Sequence, residues 1–464
     1  MRELLHDRRE PVDLAERRIG DVEGTSLFKA GIEYTPPARG TWTIAHTPML
    51  VPGAHEVYVC PGNCLRGVVL SAAEGGFTDR FSTVEVHEEN LYDSSMEDLL
   101  VEGVTDCLSR LDTRPSCVFV TSSCIHELMA LDFGHLMDEL RRRYPDIDFV
   151  ESFMNCTMRK SKIGYEDVQW RQNYAALRKV PKDPRSVNTI GSYFALDPGS
   201  EVASMLASGG YRLRDLCRVR SYDEYQAMAT SWLNLYHWPV AAEAARDLRD
   251  RLGQESLYLP YGWDASEIRA SLAALAETCG LALPDLGELE RRADEALSRA
   301  RDVVGSAEVR VDAASTPRPF GLARLLLERG FEVTEVYSDA VMAGDEQAFS
   351  WVREHRPDLL VSAMIDFRLR LRDRDADERA RGRGEKVIAV GQKAAYFTGT
   401  DHFVNMIAND GLLGFSGITR LADLLVDASR TERDARTVIQ VKARGIEGYP
   451  LPLDAPAGEE ASRA

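Results

Sequence analysis

Three cysteines follow two β-branched runs of the sequence, at the points where a strand would end. Cys60 and Cys64 lie in CPGNC, directly after EVYV (Glu56–Val59), and Cys124 closes TSSC, directly after CVFV (Cys117–Val120). In an open parallel sheet the loops at the carboxyl ends of neighbouring strands meet in one crevice. We therefore predict that these three thiols lie together and act as metal ligands.

The chemistry of such a site follows from the ligand type. Each thiol lies near the start of a predicted helix, where the helix dipole and unpaired N–H groups favour the thiolate that binds metal. Three soft thiolates suit an iron–sulfur cluster, and with His126 as a fourth ligand they also suit zinc. The alternative is that Cys60, Cys64 and Cys124 are small buried side chains that only pack.

The other five cysteines are weaker candidates. Four of them lie inside predicted helices or strands beside apolar neighbours, which indicates packing: Cys107, Cys117, Cys217 and Cys279. Cys156 follows a predicted strand end and stays a weak candidate ligand.

The composition narrows the class of protein. Of 464 residues, 44% are hydrophobic and 28% are charged, which is typical of a globular protein of several domains. The net charge of -18 would repel phosphates, so we expect no nucleic-acid partner. No run of about 18 apolar residues occurs, and the start has no signal-peptide core, so we expect no membrane partner. Eight widely spaced cysteines favour a reducing, cytoplasmic location.

The elements that would position the cysteines alternate between strand and helix. The predicted strands are Glu56–Val59, Ser82–Val86, Cys117–Val120 and Asp148–Ser152, and the predicted helices are Leu65–Ala73, Met96–Leu111 and Ile125–Arg143. This alternation predicts a parallel sheet with helices on its faces.

Two further units repeat the alternation. The middle unit ends with a polar connecting helix at Leu286–Val304, and the third begins with the run EVRVDA at Glu308–Ala313. We predict an α/β fold with domains at 1–160, 161–305 and 306–445, followed by a loose tail at 446–464. The charged run Arg372–Gly384 is interpreted as a solvated loop.

The cysteine motifs, together with LLGFSGITRLADLL near the end of the chain, resemble the component 1 superfamily of nitrogenase-like oxidoreductases. This superfamily includes nitrogenase, dark-operative protochlorophyllide reductase, nickel-sirohydrochlorin diamide reductase and methylthio-alkane reductase. The resemblance implies three Rossmann-like domains with parallel sheets over about residues 30–430. It also implies that Cys64 and Cys124 ligate an iron–sulfur cluster at a subunit interface, either of the 4Fe-4S type or a larger cluster shared by two subunits.

The sequence departs from the family in three places. The family's first cluster cysteine is absent from IEYTPPARGTWT, where Glu33 is a possible oxygen ligand, and Cys60 takes its place in our interpretation. In the two regions that resemble the ligand sites of nitrogenase's second cofactor, His237 and Trp238 stand where a thiol is expected, and Leu413 stands where a histidine is expected. We therefore expect no reduction of dinitrogen.

The resemblance implies a function. The chain would accept low-potential electrons from an ATP-dependent iron–sulfur reductase through the interface cluster, and would reduce a bound small molecule. Its partner across the cluster would be an identical chain or a second component 1-like chain. His237 and His126 are weak candidates for catalytic residues, and His402 and Lys393 are candidates by residue type alone. Two alternatives are a non-catalytic scaffold for metallocofactor assembly and a zinc-stabilised, small-molecule-binding protein.

Overall fold

The computed structural model describes residues 16–28, 45–92, 95–154, 165–364 and 386–434. Within them, three separate sheets follow one another along the chain, and helices lie between their strands. This arrangement confirms the predicted α/β fold of three Rossmann-like units with parallel sheets. Glu33, Cys156, the charged run 372–384 and the tail 446–464 lie outside the described residues.

The first sheet carries the cysteines and has the strand order β3-β2-β4-β5, with all neighbours parallel. Its strands are β2 (Ala54–Cys60), β3 (Phe81–Glu85), β4 (Cys117–Ser123) and β5 (Asp148–Met154), after a short β1 (Glu16–Arg18) that belongs to the third sheet. Its helices are α1 (His46–Met49), α2 (Gly62–Glu74), α3 (Glu88–Tyr92), α4 (Met96–Ser109), α5 (Cys124–Leu128) and α6 (Phe133–Arg143). Every residue of β2 and β4 is buried, as expected for central strands covered on both faces.

The single helix predicted over Ile125–Arg143 is wrong, because the structure has two helices there. Ala130, in the connection, has a positive φ of 54°, a conformation that no helix interior allows. Asp132 then caps α6, since its side chain accepts a hydrogen bond from the His135 N–H at 3.1 Å. The short α5 therefore ends soon after Cys124.

The second sheet is also parallel and has the order β7-β6-β8-β9. Its strands are β6 (Asp183–Ile190), β7 (Arg212–Asp215), β8 (Ser231–Tyr236) and β9 (Glu255–Tyr258), and its helices are α7 (Tyr165–Asn173), α8 (Glu201–Ser208), α9 (Tyr222–Ala227), α10 (Ala242–Leu252), α11 (Ala265–Cys279) and α12 (Leu286–Val304). The polar helix α12 has the predicted bounds, and it buries one stripe of small and aliphatic side chains against the last helix of the third unit.

The third sheet has the order β1-β12-β11-β10-β13-β14. Its remaining elements are β10 (Glu308–Asp312), α13 (Pro319–Glu328), β11 (Glu332–Tyr337), α14 (Glu346–His355), β12 (Leu360–Ser362), β13 (Val387–Val390), α15 (Gln392–Thr398), β14 (Phe403–Val404) and α16 (Gly414–Arg430). Among the described residues, no helix has the length and apolarity needed to cross a bilayer.

The strand β1 lies in the third unit, although sequence analysis assigned it to the first domain at 1–160. It pairs antiparallel with β12, from Glu16 opposite Ser362 to Arg18 opposite Leu360. The Ile19 N–H then donates to the Leu359 carbonyl at 2.8 Å, and the Ile19 side chain is fully buried. Short, charged edge strands of this kind protect a sheet from further pairing, and they carry little of the pattern that marks a central strand.

Candidate functional site

The carboxyl edge of the first sheet brings the three predicted cysteines together. Cys60 is the last residue of β2, and Cys124 is the first residue of α5, directly after β4. The two strands pair in parallel as far as Val59 and Ser122, so both cysteines leave the sheet at the same edge. Cys64 lies in the first turn of α2. Cys60 is buried, while Cys64 and Cys124 are half-buried.

The turn between Cys60 and Cys64 contains a glycine, Gly62. Pro61 is extended, with φ −60° and ψ 148°, and α2 begins at Gly62. A side chain at position 62 would overlap the carboxylate of Glu85, which ends the neighbouring strand β3. The Cys64 N–H donates to the Pro61 carbonyl at 2.9 Å, which closes the turn. The sequence CPGNC thus places two thiols on the strand end and on the helix start.

His126, which sequence analysis proposed as a ligand, holds the start of α5. Ser123 is the N-cap residue, and its N–H donates to His126 Nδ1 at 3.2 Å in a reciprocal capping arrangement. Burial lowers the pKa of His126, so the ring is neutral at pH 7. Its Nε2 has no hydrogen-bond partner within the described part of the chain, and the ring lies edge-on to Phe133.

The three thiols interact electrostatically. Burial and, to a smaller extent, the thiols of Cys64 and Cys124 raise the pKa of the Cys60 thiol to about 12, because a second negative charge nearby disfavours the thiolate. Cys60 therefore carries its proton in the absence of a metal, and a metal group must displace that proton when it binds.

The donor set fits an iron–sulfur cluster better than a single metal ion. Within the described ranges, no set of three or more His, Cys, Asp or Glu side chains is gathered around a point where a single metal ion could sit. The zinc arrangement of Cys60, Cys64, Cys124 and His126 is therefore not preformed. An iron–sulfur cluster contains several metal ions, so its ligands lie farther apart, and three interacting thiols at one edge fit it better.

A second candidate site lies between the middle and third units. A cavity of about 190 Å³ opens at the carboxyl ends of β8, β10 and β11, the position at which open α/β sheets bind ligands. Its lining comes from α7 and from the three connections that follow these strands: Asp167, His237, Trp238, Pro239, Val240, Pro317, Arg318, Met342 and Ala343.

His237 and Trp238 supply the unsatisfied polar groups at this cavity. His237 Nδ1 donates to the Leu259 carbonyl at 2.7 Å, and burial lowers the pKa of the ring to about 4, so His237 is neutral at pH 7 and Nε2 is an acceptor. Neither His237 Nε2 nor the Trp238 indole N–H has a hydrogen-bond partner among the described residues. Buried polar atoms of this kind are expected to bind a ligand or water.

The cavity wall also carries a charged side chain, Arg318, that is already paired with a carboxylate. The Arg318 side chain is only 9% exposed, and its Nη1 lies 2.7 and 2.6 Å from the two carboxylate oxygens of Glu267. Sequence analysis missed Arg318 and Met342. The signal that could have found Arg318 is its position after β10, because β10, like β2, ends at the carboxyl edge of a parallel sheet.

The remaining sequence candidates lie elsewhere. His402 Nδ1 donates to the Ala428 carbonyl at 2.9 Å, and Lys393 lies near the buried carboxylate of Asp312. Neither lines the cavity beside His237. Leu413 precedes α16, whose first turn is held by Glu201: the Ser416 N–H and hydroxyl each donate to its carboxylate at 2.8 Å. The glycine-rich motif at 411–417 therefore joins two units.

The family of this chain follows from its similarity to known proteins. A family model described as nitrogenase component 1 type oxidoreductase matches residues 74–428. The chain belongs to this family. The match includes Cys124 and His237 but begins after Cys60 and Cys64. It confirms the predicted relationship and makes this component 1-type chain an oxidoreductase.

Individual relatives of this component 1-type oxidoreductase are distant. Light-independent protochlorophyllide reductase subunit N of Chlorobium luteolum is 25% identical over 313 residues, which cover 62% of this chain and 70% of the relative. The solved structure of nitrogenase Cp1 at pH 6.5 aligns with a TM-score of 0.62 at 12% identity, over 87% of this chain and 95% of that one. Nitrogenase Cp1 at pH 5 aligns with a TM-score of 0.54 at 12% identity, over 85% and 89%. These structures share the fold.

Proposed function

We propose that this component 1-type chain is a reductase component that receives low-potential electrons from an ATP-dependent iron–sulfur reductase. The electrons enter through an iron–sulfur cluster held by Cys60, Cys64 and Cys124, and they reduce a small molecule, other than dinitrogen, bound beside His237. The observation that carries the proposal is the convergence of three interacting thiols at one sheet edge. Family membership supports it independently.

The residues divide the work between holding the cluster and preparing its site. A bound cluster supplies one-electron transfer at low potential. Cys64 and Cys124 present their thiolates at helix starts, where backbone N–H groups stabilise negative charge. The turn at Gly62 brings the start of α2 next to the end of β2. Cys60 is held in the buried end of β2, so its proton leaves only when a metal replaces it.

The surface around the cysteines supports a partner chain. Large apolar side chains are exposed on or next to the three helices that follow β2, β3 and β4: Val69, Leu70, Tyr92, Leu128 and Met129. Leu128 is 75% exposed and Tyr92 is 79% exposed, which is unusual for such residues in a group. Cys64 and Cys124 are half-buried on two of these helices. We propose that an identical or a second component 1-like chain covers this edge and completes the cluster site.

The cavity beside His237 supports a small, uncharged substrate. Its volume of about 190 Å³ is below the roughly 300–1,000 Å³ of pockets that hold drug-sized molecules. The charge of Arg318 is paired with Glu267, so it attracts an anion weakly. Because His237 is neutral and its Nε2 accepts hydrogen bonds, we propose that it orients a donor group of the substrate, while the Trp238 indole donates to an acceptor.

Iron and acid-labile sulfide assays on anaerobically purified protein test the proposal. Cys64→Ala and Cys124→Ala should each lose most of the bound iron, whereas Cys279→Ala should keep it, because Cys279 is buried at the end of α11, away from the first sheet. Retention of iron by all three variants would show that the ligand assignment is wrong. A colourless protein loaded with zinc would exclude the cluster altogether.

A scaffold function makes a different prediction for the same preparation. With the reductase and ATP added, an enzyme gives turnover of a substrate, whereas a scaffold gives only transfer of its cluster to an acceptor protein. Turnover without transfer supports the reductase proposal.

A further inference from the structure

A buried carboxyl group lies on the same strand as Cys60. Glu56 is in the middle of β2, which runs between β3 and β4, and its side chain has no exposure to solvent. A carboxylate in such a position loses its hydration, so natural proteins rarely place one there without a purpose. Neither the cluster ligands nor the cavity beside His237 explains Glu56.

The strand register connects Glu56 to the cysteine edge. Successive side chains of a strand point to opposite faces, so Glu56, Tyr58 and Cys60 share one face of β2. Tyr58 and Cys60 belong to one buried cluster under α2. The Thr121 hydroxyl, on the neighbouring strand β4, donates to Glu56 Oε1 at 3.1 Å. Polar side chains thus lie along this face of the sheet between Glu56 and Cys60. At the usual rise of a strand, the Cα atoms of Glu56 and Cys60 are about 13 Å apart.

The protonation state of Glu56 follows from this environment. Burial raises its pKa to about 8, against the opposing effects of hydrogen bonds from Tyr58 and Thr121 and of the positive charge of Arg80. Glu56 is therefore an uncharged acid at pH 7. The guanidinium of Arg80 also donates to the carbonyls of Ala54, Met49 and Val51.

Several other titratable groups belong to the elements packed against this face, among them Cys117 on β4 and Asp167 and Arg171 on α7. The turn before β3 carries Asp79 beside Arg80, and α1 carries His46, whose pKa burial lowers to about 4. Glu85 ends β3 beside Gly62, at the cysteine edge. His55 lies on the opposite face, because it is the residue before Glu56 on β2. Glu151 also lies on that face, because it is paired with Val120, which is paired with Val57, the residue after Glu56.

We infer that Glu56 holds a proton whose uptake and release are coupled to electron transfer at the cysteine site. The inference rests on the proposed function. At pH values above the pKa of Glu56, where its carboxyl group is ionised, the carboxylate takes up one proton from water and forms an O–H bond when one electron from the iron–sulfur donor enters the site. When the electron leaves for the substrate, the O–H bond breaks and the proton returns to water. The negative charge added at the cysteine site favours the protonated form of Glu56, because little solvent lies between the site and Glu56 to screen that charge.

A spectroscopic redox titration of the loaded protein tests the inference, with dithionite as reductant, between pH 6 and pH 10. In the unsubstituted protein the midpoint potential should be level at low pH and fall with rising pH above the pKa of Glu56. The expected slope is up to about 59 mV per pH unit, which corresponds to one proton per electron. In Glu56→Gln the slope should be absent. The matched control is Glu151→Gln, which removes a partly buried carboxyl with a raised pKa from the opposite face of the same sheet, and it should keep the slope.

A milder variant guards against misfolding of Glu56→Gln. Thr121→Val removes the hydrogen bond that favours the ionised acid, so the pH at which the slope begins should move upward. A level potential in the unsubstituted protein, or an unchanged slope in Glu56→Gln, would overturn the inference while leaving the cluster assignment intact. Absence of a cluster from the unsubstituted protein would instead overturn the proposed function, and the inference with it.

Discussion

The substitution Glu56→Gln should also change how the stability of the cluster-free protein depends on pH. Glutamine has nearly the shape of the protonated acid but cannot ionise. The carboxyl pKa is 4.5 without the influence of the fold and about 8 in the folded protein. Above pH 4.5 the unfolded chain releases its proton and the folded chain does not, so the folded state loses stability until the pH passes 8.

The size of the effect follows from the two pKa values. A full difference of one proton between the folded and unfolded states changes the free energy of unfolding by about 1.4 kcal/mol per pH unit. Between pH 6 and pH 8, the free energy of unfolding of the unsubstituted protein should therefore fall by roughly 2 kcal/mol relative to that of Glu56→Gln, after allowance for partial ionisation near pH 8. The first sheet should become more resistant to urea in the variant, and increasingly so as the pH rises.

Urea unfolding at pH 6, 7 and 8, followed by circular dichroism, measures this difference. The control is Glu97→Gln, which removes an exposed carboxyl from α4 and should give a difference that does not vary with pH. A difference between Glu56→Gln and the unsubstituted protein that stays constant from pH 6 to pH 8 would show that Glu56 is ionised in the folded state, and the reasoning would be refuted.

Three other substitutions test separate parts of the structure. His237→Phe removes the neutral acceptor and the hydrogen bond to Leu259, so reductive turnover should fall at least about tenfold, the effect of roughly 1.4 kcal/mol, while the iron content per chain stays unchanged. Leu128→Glu places a charge on the exposed apolar surface near Cys124, so light scattering should detect a shift toward monomer without loss of melting temperature; an unchanged mass would argue against this contact. Glu335→Ala removes one of the two carboxylates that pair with the buried Arg310, at 2.6 Å, and leaves Glu308 at 2.9 Å, so urea unfolding should show a loss of about 1–3 kcal/mol; an unchanged free energy of unfolding would contradict the assigned ion pair.

The central strands could be read from the sequence because their burial leaves a clear pattern. Parallel strands covered on both faces are nearly continuous apolar runs, and EVYV and EVRVDA fall within one or two residues of β2 and β10. The helix α12 was also predicted with its observed bounds, because a long amphipathic pattern between Asp285 and Gly305 has clear capping residues.

Other features depend on contacts that no local pattern carries. The break between α5 and α6 depends on the positive φ of Ala130, a residue type that ordinarily favours helix. The convergence of Cys60 and Cys124 could be predicted from strand ends, but the use of His126 as a capping residue could not, since a histidine two positions after a cysteine is equally typical of a ligand. The cavity beside His237 combines connections from two units, so its lining was largely invisible in the sequence.

The antiparallel pairing of β1 with β12 has a consequence for folding during synthesis on the ribosome. The Arg353 guanidinium donates to the Val22 carbonyl, 331 residues earlier in the chain. At translation rates of about 5–20 residues per second, the segment 16–28 would wait roughly 15–65 s before its partner emerges. The first two sheets can form during that interval from contacts closer in sequence, whereas the edge of the third sheet cannot be completed. Synthesis therefore ends with the first described residues being enclosed by the last unit to appear.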